Sequence, residues 1–336
     1  MKRKSRYFCT KSLVFAMVLL SVTLVLYRSF PEEQFFFSSA FISAPRSLST
    51  VSRIFLNQCL YECLMREKNQ RSECLDECEV QSDQKKNYII TKNFYLIPLQ
   101  IIHTNYRKNV ISYSLYGDKR DFYRNLHIVI RKARQIFPNW IPRFYISIDA
   151  PSKAIENMVK AECELILVRI TKYALTKFGQ NHHYHGMFWR FFAASDPEVN
   201  RYIVRDTDSF AIQRDKDAVD DWIHENKMFH VMRDHLYHGT QMLGGMWGGI
   251  VNQTIFDMTK IYNATSIVDD GKGIDQLFLA NYVYPIVLNR MTCHQSHPFR
   301  YEGECRNFPT KREGKEFVGN MLALLDYNDT NEIDFP

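Results

Sequence analysis

From residue 109 onward the chain alternates short apolar runs with amphipathic stretches. Asn109–Gly117 (NVISYSLYG) reads as a buried strand ended by glycine. Phe122–Phe137 sets Leu126, Val129, Ile130 and Ala133 on one helical face and stops at Pro138. Arg143–Ile148 predicts a strand closed by Asp149 and Pro151, Lys153–Ala161 a short helix, and Cys163–Ile170 (CELILVRI) a second apolar strand. Gly186–Ala194 (GMFWRFFAA) reads as an apolar helix stopped by Asp196-Pro197. Arg201–Arg205 is a strand running straight into Asp206, Asp215–Glu225 is helical, and Phe229–Arg233 is strand-like. Successive β-α-β units predict an α/β fold: a Rossmann-type, mostly parallel sheet with helices on both faces. Ligands of such sheets gather at the carboxyl ends of the strands. Asp118, Asp149 and Asp206 each follow a strand, which sets three acids along one rim.

The N-terminal third is patterned differently. Ser12–Tyr27 carries no charge and follows Lys2, Arg3, Lys4, Arg6 and Lys11. This predicts a short membrane anchor over 12–27, with a cytosolic tail at 1–11 and the remainder lumenal. A cleaved signal peptide is the rival, but the small residues Ser38–Ala40 and Ser43-Ala44 sit far from the apolar run. Residues 28–106 are expected to form a stem, the main domain to occupy 107–325, and 326–336 to be a tail. Within the stem, Cys59-x3-Cys63 and Cys74-x3-Cys78 have helical spacing around a polar turn. Two antiparallel helices over 55–82 would pair Cys59 with Cys78 and Cys63 with Cys74, stapling an element too small for a core of its own. Zinc is the competing reading, against which the spacing counts. The hairpin is also a candidate homodimer contact. Cys293 and Cys305 are candidates for a third bridge, and Cys163 for a buried strand residue. Of the sequons Asn252-Gln253-Thr254, Asn263-Ala264-Thr265 and Asn328-Asp329-Thr330, the one at Asn263, near a helix end, is expected to be the most accessible.

Composition narrows the function classes. With 336 residues, 46% of them hydrophobic, the chain can bury one full-sized domain. Much of its net charge of +6 comes from the N-terminal cluster. No basic stripe interleaved with aromatics is present, so nucleic acid is not an expected partner. Neither GxGxxG nor GxxxxGK[ST] follows a strand, which argues against dinucleotide enzymes and P-loop NTPases.

The sharpest local feature is Asp206-Thr207-Asp208 at a strand exit. Two carboxylates one residue apart can share a hard cation whose open positions suit diphosphate oxygens; a solvated turn is the plainer reading. The glycines of Leu243–Gly249 (LGGMWGG) permit close backbone approach, and Trp247 offers a flat face to a sugar or to the core. The elements SYSLYGD (112–118), GMFWRFFAASD (186–196), RDTDS (205–209), AVDDW (218–222), FHVMRDH (229–235), LGGMWGG (243–249), DQLFL (275–279) and FPTKREGKEFVG (308–319) resemble, in order, a group of GT-A-like glycosyltransferases.

That resemblance implies a nucleotide-sugar donor such as a UDP-sugar, a divalent metal (Mn2+ or Mg2+) held by Asp206 and Asp208, and a glycan, glycoprotein or glycolipid acceptor in the Golgi or ER lumen. His294 matches the position of a third metal ligand, with His297 as second choice. Asp275 is the candidate general base, although an acid at a helix start is often an N-cap. Arg190 is expected to meet a rim carboxylate or a donor phosphate. Lys311 and Arg312 are candidates to close over the diphosphate, Gly244, Gly245 and Trp247 to line the sugar pocket, and Tyr116 and Asp118 to contact the nucleoside. Arg233-Asp234-His235 is a further donor-sugar candidate. His182, His183 and His185 are too close in sequence to share a metal and suggest an active-site loop. Two rival functions remain: a non-catalytic lumenal domain keeping this fold, and a nucleotidyltransferase, for which SLYGDKRD is a poor version of the expected basic loop.

Overall fold

The computed structural model describes residues 53–81, 89–117, 123–265, 271–301 and 303–321. The expected anchor, both tails, Asp118 and the sequon at Asn328 lie outside them. Among the described residues no helix is long and apolar enough to cross a membrane.

Strand β1 (Arg53–Leu56) leads into helices α1 (Gln58–Met65) and α2 (Lys68–Gln81). Asn57 caps α1, its side chain accepting from the Leu60 amide at 3.2 Å. Disulfides Cys59–Cys78 and Cys63–Cys74 join the two helices in the nested pairing expected. β2 (Ile89–Ile90) and β3 (Phe94–His103) follow, then β4 (Lys108–Leu115), α3 (Leu126–Ile136), β5 (Ile141–Ser147), α4 (Ser152–Lys160), β6 (Glu164–Ile170) and α5 (Lys172–Phe178). The expected apolar helix is a longer 3-10 helix, Gly179–Ser195. Beyond it lie β7 (Val199–Val204), α6 (Gln213–Glu225), β8 (Phe229–Arg233), β9 (Trp247–Ile250), α7 (Met258–Ala264), α8 (Ile274–Phe278) with helical turns continuing to Arg290, and β10 (Met291–Gln295).

The strands form one mixed sheet in the order β1-β3-β6-β5-β4-β7-β9-β8-β10, with β2 on β3. Its centre, β6-β5-β4-β7, is parallel as the β-α-β pattern predicts. The flanks are not uniformly so: β3 runs antiparallel to β6, and β9 antiparallel to β7 and β8. β8 and β9 are joined by a loop that holds no helix, and β9 returns antiparallel beside β8.

Residues 53–56 and 94–103 therefore belong to the sheet, not to a separate stem as expected. Phe94, Leu96, Ile97, Leu99 and Ile101 are buried. Pro98 hides the strand in sequence because it cannot donate to a ladder; the structure places it at a register shift against β6. The hairpin is likewise part of the domain. Leu60, Leu64 and Leu75 join a core cluster with Leu99, Ile146 and Ile155. Arg71 on α2 donates to the Ile148 and Ala150 carbonyls, both at 2.7 Å, tying the hairpin to the β5–α4 turn.

Two large clusters, beside a small one around Met232, Met246 and Phe308, fill the core. One gathers the hairpin, α3 and α4 with Tyr113, Phe144 and Trp222. The other gathers Phe188, Phe191, Phe192, Tyr202, Trp247, Tyr262 and Phe278. Near the amino ends of the central strands, buried Glu164 accepts from Lys108 Nζ (2.5 Å) and Arg143 Nε (2.7 Å), and Arg143 also reaches Asp196 at 2.6 Å. Removing one partner of such a buried set strands a charge, which costs about 3–5 kcal/mol.

Candidate functional site

The chain leaves β7 at Val204, and the next residue fixes the turn. Arg205 is buried and donates to both carboxylate oxygens of Asp215, at 3.0 and 2.6 Å. This bidentate pair anchors the turn that carries Asp206 and Asp208 to the carboxyl end of the parallel strands. Ser209 then bridges to Met321, bringing the C-terminal strap (303–321) beside the acidic pair.

Arg190 reaches the same place from the 3-10 helix. That helix is pinned to β4: the Ser112 hydroxyl donates to the Arg190 carbonyl at 2.6 Å, and the Arg190 amide donates to Ser114 Oγ at 3.0 Å. The buried guanidinium donates through Nη1 to Asp206 Oδ1 and through Nη2 to Asp275 Oδ2, the latter at 3.2 Å. Arg190 thus meets the rim carboxylate, one of its two expected partners. Asp275 is itself buried on α8, which starts at Gly273 with a φ of +87°. Gly273, not Asp275, is the N-cap, and no side chain caps this helix. The N-cap reading of Asp275 is therefore replaced by an ion pair in the site. Phe278 on the same helix packs on Phe188 with ring centres 5.3 Å apart, holding α8 to the 3-10 helix.

Gly244 and Gly245 close the site from another side. A Cβ on Gly245 would overlap the Asp206 carboxylate, and one on Gly244 would overlap the carboxylate of Asp275 and crowd Arg190. The expected close backbone approach is met, and its partners are the acids themselves. Tyr116, after β4, lies over Gly186 and edge-on to Trp189, 5.7 Å between ring centres. Burial raises its phenol; the Arg190 cation opposes this, and the charges of Asp275, Asp206 and Asp208 add to it, placing Tyr116 within the same field.

The site has more negative charge than it can pair. Burial, reinforced by the neighbouring Asp206 charge, pushes the Asp208 carboxyl up to about 6. Burial also raises Asp275, against the pull of Arg190. Arg190 is held above its ordinary value: burial disfavours its charge, but Asp206 and Asp275 outweigh that. One guanidinium pairs with two of the three carboxylates, Asp206 and Asp275, and acts on Asp208 only through its charge.

Three expectations are corrected. Trp247 does not face a sugar: it is fully buried on β9, 5.5 Å from Phe191 and 5.3 Å from Tyr202 between ring centres. The alternation of β9 turns its indole into the core. His294 does not join Asp206 and Asp208. It is buried on β10, with Nε2 at 2.9 Å from Asp221 and Nδ1 at 3.0 Å from His230, so both ring nitrogens are engaged elsewhere. Burial lowers its imidazole. Arg233 and Asp234 are fully buried rather than facing a donor sugar. Asp234 fastens the strap, accepting from Arg214 Nε (2.8 Å), Arg214 Nη2 (2.9 Å), the Val318 amide (2.9 Å), Ser296 Oγ and Arg312. Arg312 is thereby tied to Asp234, while Lys311 is exposed on the strap.

The remaining candidates are scattered. Asp149 is exposed and acts on Arg71 at the hairpin. His297 is half-buried on the loop after β10. Asp118 and the side chains of His182 and His183 lie outside the described residues; His185 is buried beside Phe188 and Tyr262. The pattern missed His238. Its Nδ1 accepts from the Asp234 amide at 3.0 Å, and burial with the charge of His235 pulls its imidazole down to about 4 against Asp234 and Asp206. The only signal was its place four residues after Asp234, in the loop of a strand reaching the same edge.

Among the described residues no group of three or more His, Cys, Asp or Glu side chains is arranged to hold a metal. The donor chemistry that fits a hard cation is the carboxylate pair Asp206 and Asp208, with a charge excess that a cation would relieve.

No protein-family model matches the chain, and no curated protein matches it. Among solved structures, a glycosyltransferase involved in glycosylation of the major capsid of PBCV-1 is similar at 12% identity, covering 56% of this chain and 81% of that one, with a TM-score of 0.32. The 4-diphosphocytidyl-2C-methyl-D-erythritol synthase of Anaerococcus prevotii is similar at 9% identity, covering 57% of this chain and 88% of that one, with a TM-score of 0.34. These scores are too low to carry an inference about fold or activity.

Proposed function

We propose that the protein is a metal-dependent glycosyltransferase of GT-A type, moving a sugar from a nucleotide-sugar to a glycan, glycoprotein or glycolipid. The observation that carries this reading is the pairing of Asp206 and Asp275 on one guanidinium, with Asp208 beside them, at the carboxyl end of the parallel strands. Sequence elements scattered over 109–325 resemble the same class in order.

In this reading Asp206 and Asp208 would hold a divalent cation, Mn2+ or Mg2+, which would supply positive charge to offset that of the departing nucleoside diphosphate. Arg190 holds Asp206 and Asp275 in register across two elements. Asp275 faces the sugar or the acceptor hydroxyl, where a carboxyl raised by burial is suited to take a proton. Gly244 and Gly245 let the backbone approach both acids, and Tyr116 borders the nucleoside side. The Ser209–Met321 bridge keeps the strap over the site.

Disulfides persist in oxidising compartments, and three are formed here. Together with the basic cluster before 12–27, they support a type II protein with its catalytic domain in the Golgi or ER lumen. The reading is tested by the Asp206→Asn/Asp208→Asn double variant. Sugar transfer should be abolished with the fold intact; full transfer would reject the mechanism.

A further inference from the structure

We propose that Asn252 is an N-glycosylation site and that its oligosaccharide sits at the sheet edge opposite the acidic site. The proposal rests on the lumenal part of the reading above and is independent of sugar transfer by this chain.

Topology fixes the position. β9 runs antiparallel to β7, with Trp247 opposite Val204 and Ile250 opposite Arg201. Asp206 follows the carboxyl end of β7. The chain leaving β9 therefore emerges at the amino end of β7, across the full strand from the candidate site. The emerging segment is anchored: the Val251 amide donates to the Asn200 carbonyl at 2.9 Å, and Arg107 Nη2 donates to the Val251 carbonyl at 2.8 Å.

The triplet itself is presented in a turn. Asn252, Gln253 and Thr254 are all exposed. Asn252 Oδ1 accepts from the Thr254 amide at 3.1 Å, an Asx turn. The Asn252 carbonyl accepts from the Ile255 and Phe256 amides at 3.1 and 2.9 Å, and Phe256 is buried behind the turn. The turn thus engages the side-chain oxygen and leaves the acceptor amide on an exposed, rigidly based loop. A sugar added before folding has room here in the folded chain.

Asn263, expected to be the most accessible, is exposed as well, but its triplet is held differently. Its Oδ1 accepts from the Lys92 amide at 3.0 Å, joining α7 to the segment before β3. Thr265 of that triplet is buried, and its hydroxyl donates to the Tyr262 carbonyl at 2.9 Å. Asn263 and Ala264 stay exposed, and the buried, bonded Thr265 is what sets this triplet apart from the fully exposed one at Asn252.

The chemistry needs one co-reactant, an oligosaccharide linked to a lipid pyrophosphate, and the cell's own transferring enzyme. A bond forms between Asn252 Nδ2 and the anomeric carbon. The bond from that carbon to the pyrophosphate oxygen breaks, and the lipid pyrophosphate leaves with the electron pair. The proton lost from Nδ2 passes to a base of the transferring enzyme. No oxidant or reductant is involved. The formed disulfides are consistent with the compartment in which such transfer occurs.

The test uses the full chain expressed in eukaryotic secretory cells. N-glycans are removed by amidase in heavy-oxygen water, and each sequon peptide is read by mass spectrometry. The same digest reports whether Cys59 and Cys78 are joined. The expected result is heavy aspartate at Asn252, with loss of one glycan step in gel mobility for Asn252→Gln and none for Asn263→Gln. Unmodified Asn252 in a chain whose disulfides have formed overturns the proposal and leaves the lumenal reading standing. Unmodified Asn252 with reduced cysteines overturns both. Neither readout uses transfer activity, so failure of the catalytic reading is seen separately.

Discussion

Arg190 is the residue on which the site turns. It lies on an apolar helix, where an unpaired charge would be costly, and its cost is met by Asp206 and Asp275. The glycines matter for a similar reason of contact: there is no room for a side chain between residues 244–245 and the two acids. Gly245→Ala should therefore weaken metal-dependent nucleotide binding by about tenfold or more, equivalent to about 1.4 kcal/mol, as read by calorimetric titration. Unchanged binding would show that Asp206 has freedom the packing denies it. Trp247 makes the opposite prediction. With its indole fully enclosed by Phe191 and Tyr202, Trp247→Ala should cost about 3–5 kcal/mol of folding stability, read from urea denaturation. A stable variant with only a sugar-binding defect would restore the pocket-lining role that burial removes.

At the scale of elements, β10, β8 and α6 meet in a polar core quite unlike the acidic edge. His230 is sandwiched against Trp222, ring centres 5.4 Å apart, and shares a hydrogen bond with His294, which pairs with Asp221. Burial holds both imidazoles below the ordinary value of 6.5. Below that pH the unfolded chain binds protons that the folded chain does not, so folding stability rises with pH up to about 6.5 and is lost as pH falls beneath it. Denaturation midpoints at pH 7.5 and 5.5 should show the loss, and His230→Phe should flatten it. The hairpin makes a second prediction: replacing Cys63 and Cys74 together by Ala opens a short loop and should cost about 2–4 kcal/mol, measured by thermal unfolding.

These elements also show where sequence is and is not readable. The parallel centre, the cysteine pairing and the strand-to-Asp206 junction follow from periodicity and spacing, because each element involved carries its own short-range signal. β3 was hidden by Pro98, and the orientation of Trp247 by a glycine-rich run whose strand character comes from pairing with β7 and β8. His294 could not be placed from sequence because its partners, Asp221 and His230, are more than sixty residues away. Asp275 was legible as an acid but not as an Arg190 partner, since that contact joins segments 85 residues apart.

The whole described domain is one mixed sheet with its acids at one edge and an exposed sequon at the other. The hairpin that might have stood apart as a stem is packed into the core cluster of Tyr113, Phe144 and Trp222 and tied by Arg71. Its removal should therefore unfold or aggregate the domain rather than simply shorten it; a truncated chain starting at 89 that keeps the native melting temperature would contradict that packing. The strap, locked by Asp234 and bridged at Ser209, borders the carboxyl edge.

Metal-dependent use of a nucleotide-sugar through Asp206 and Asp208 is read from release of nucleoside diphosphate. The wild-type chain and Asp206→Asn/Asp208→Asn are given a panel of nucleotide-sugars, with and without Mn2+. Release is expected from one donor, dependent on the metal and abolished in the double variant. Release that is indifferent to both metal and substitution, or a folded wild-type chain that binds neither nucleotide nor metal, would contradict it.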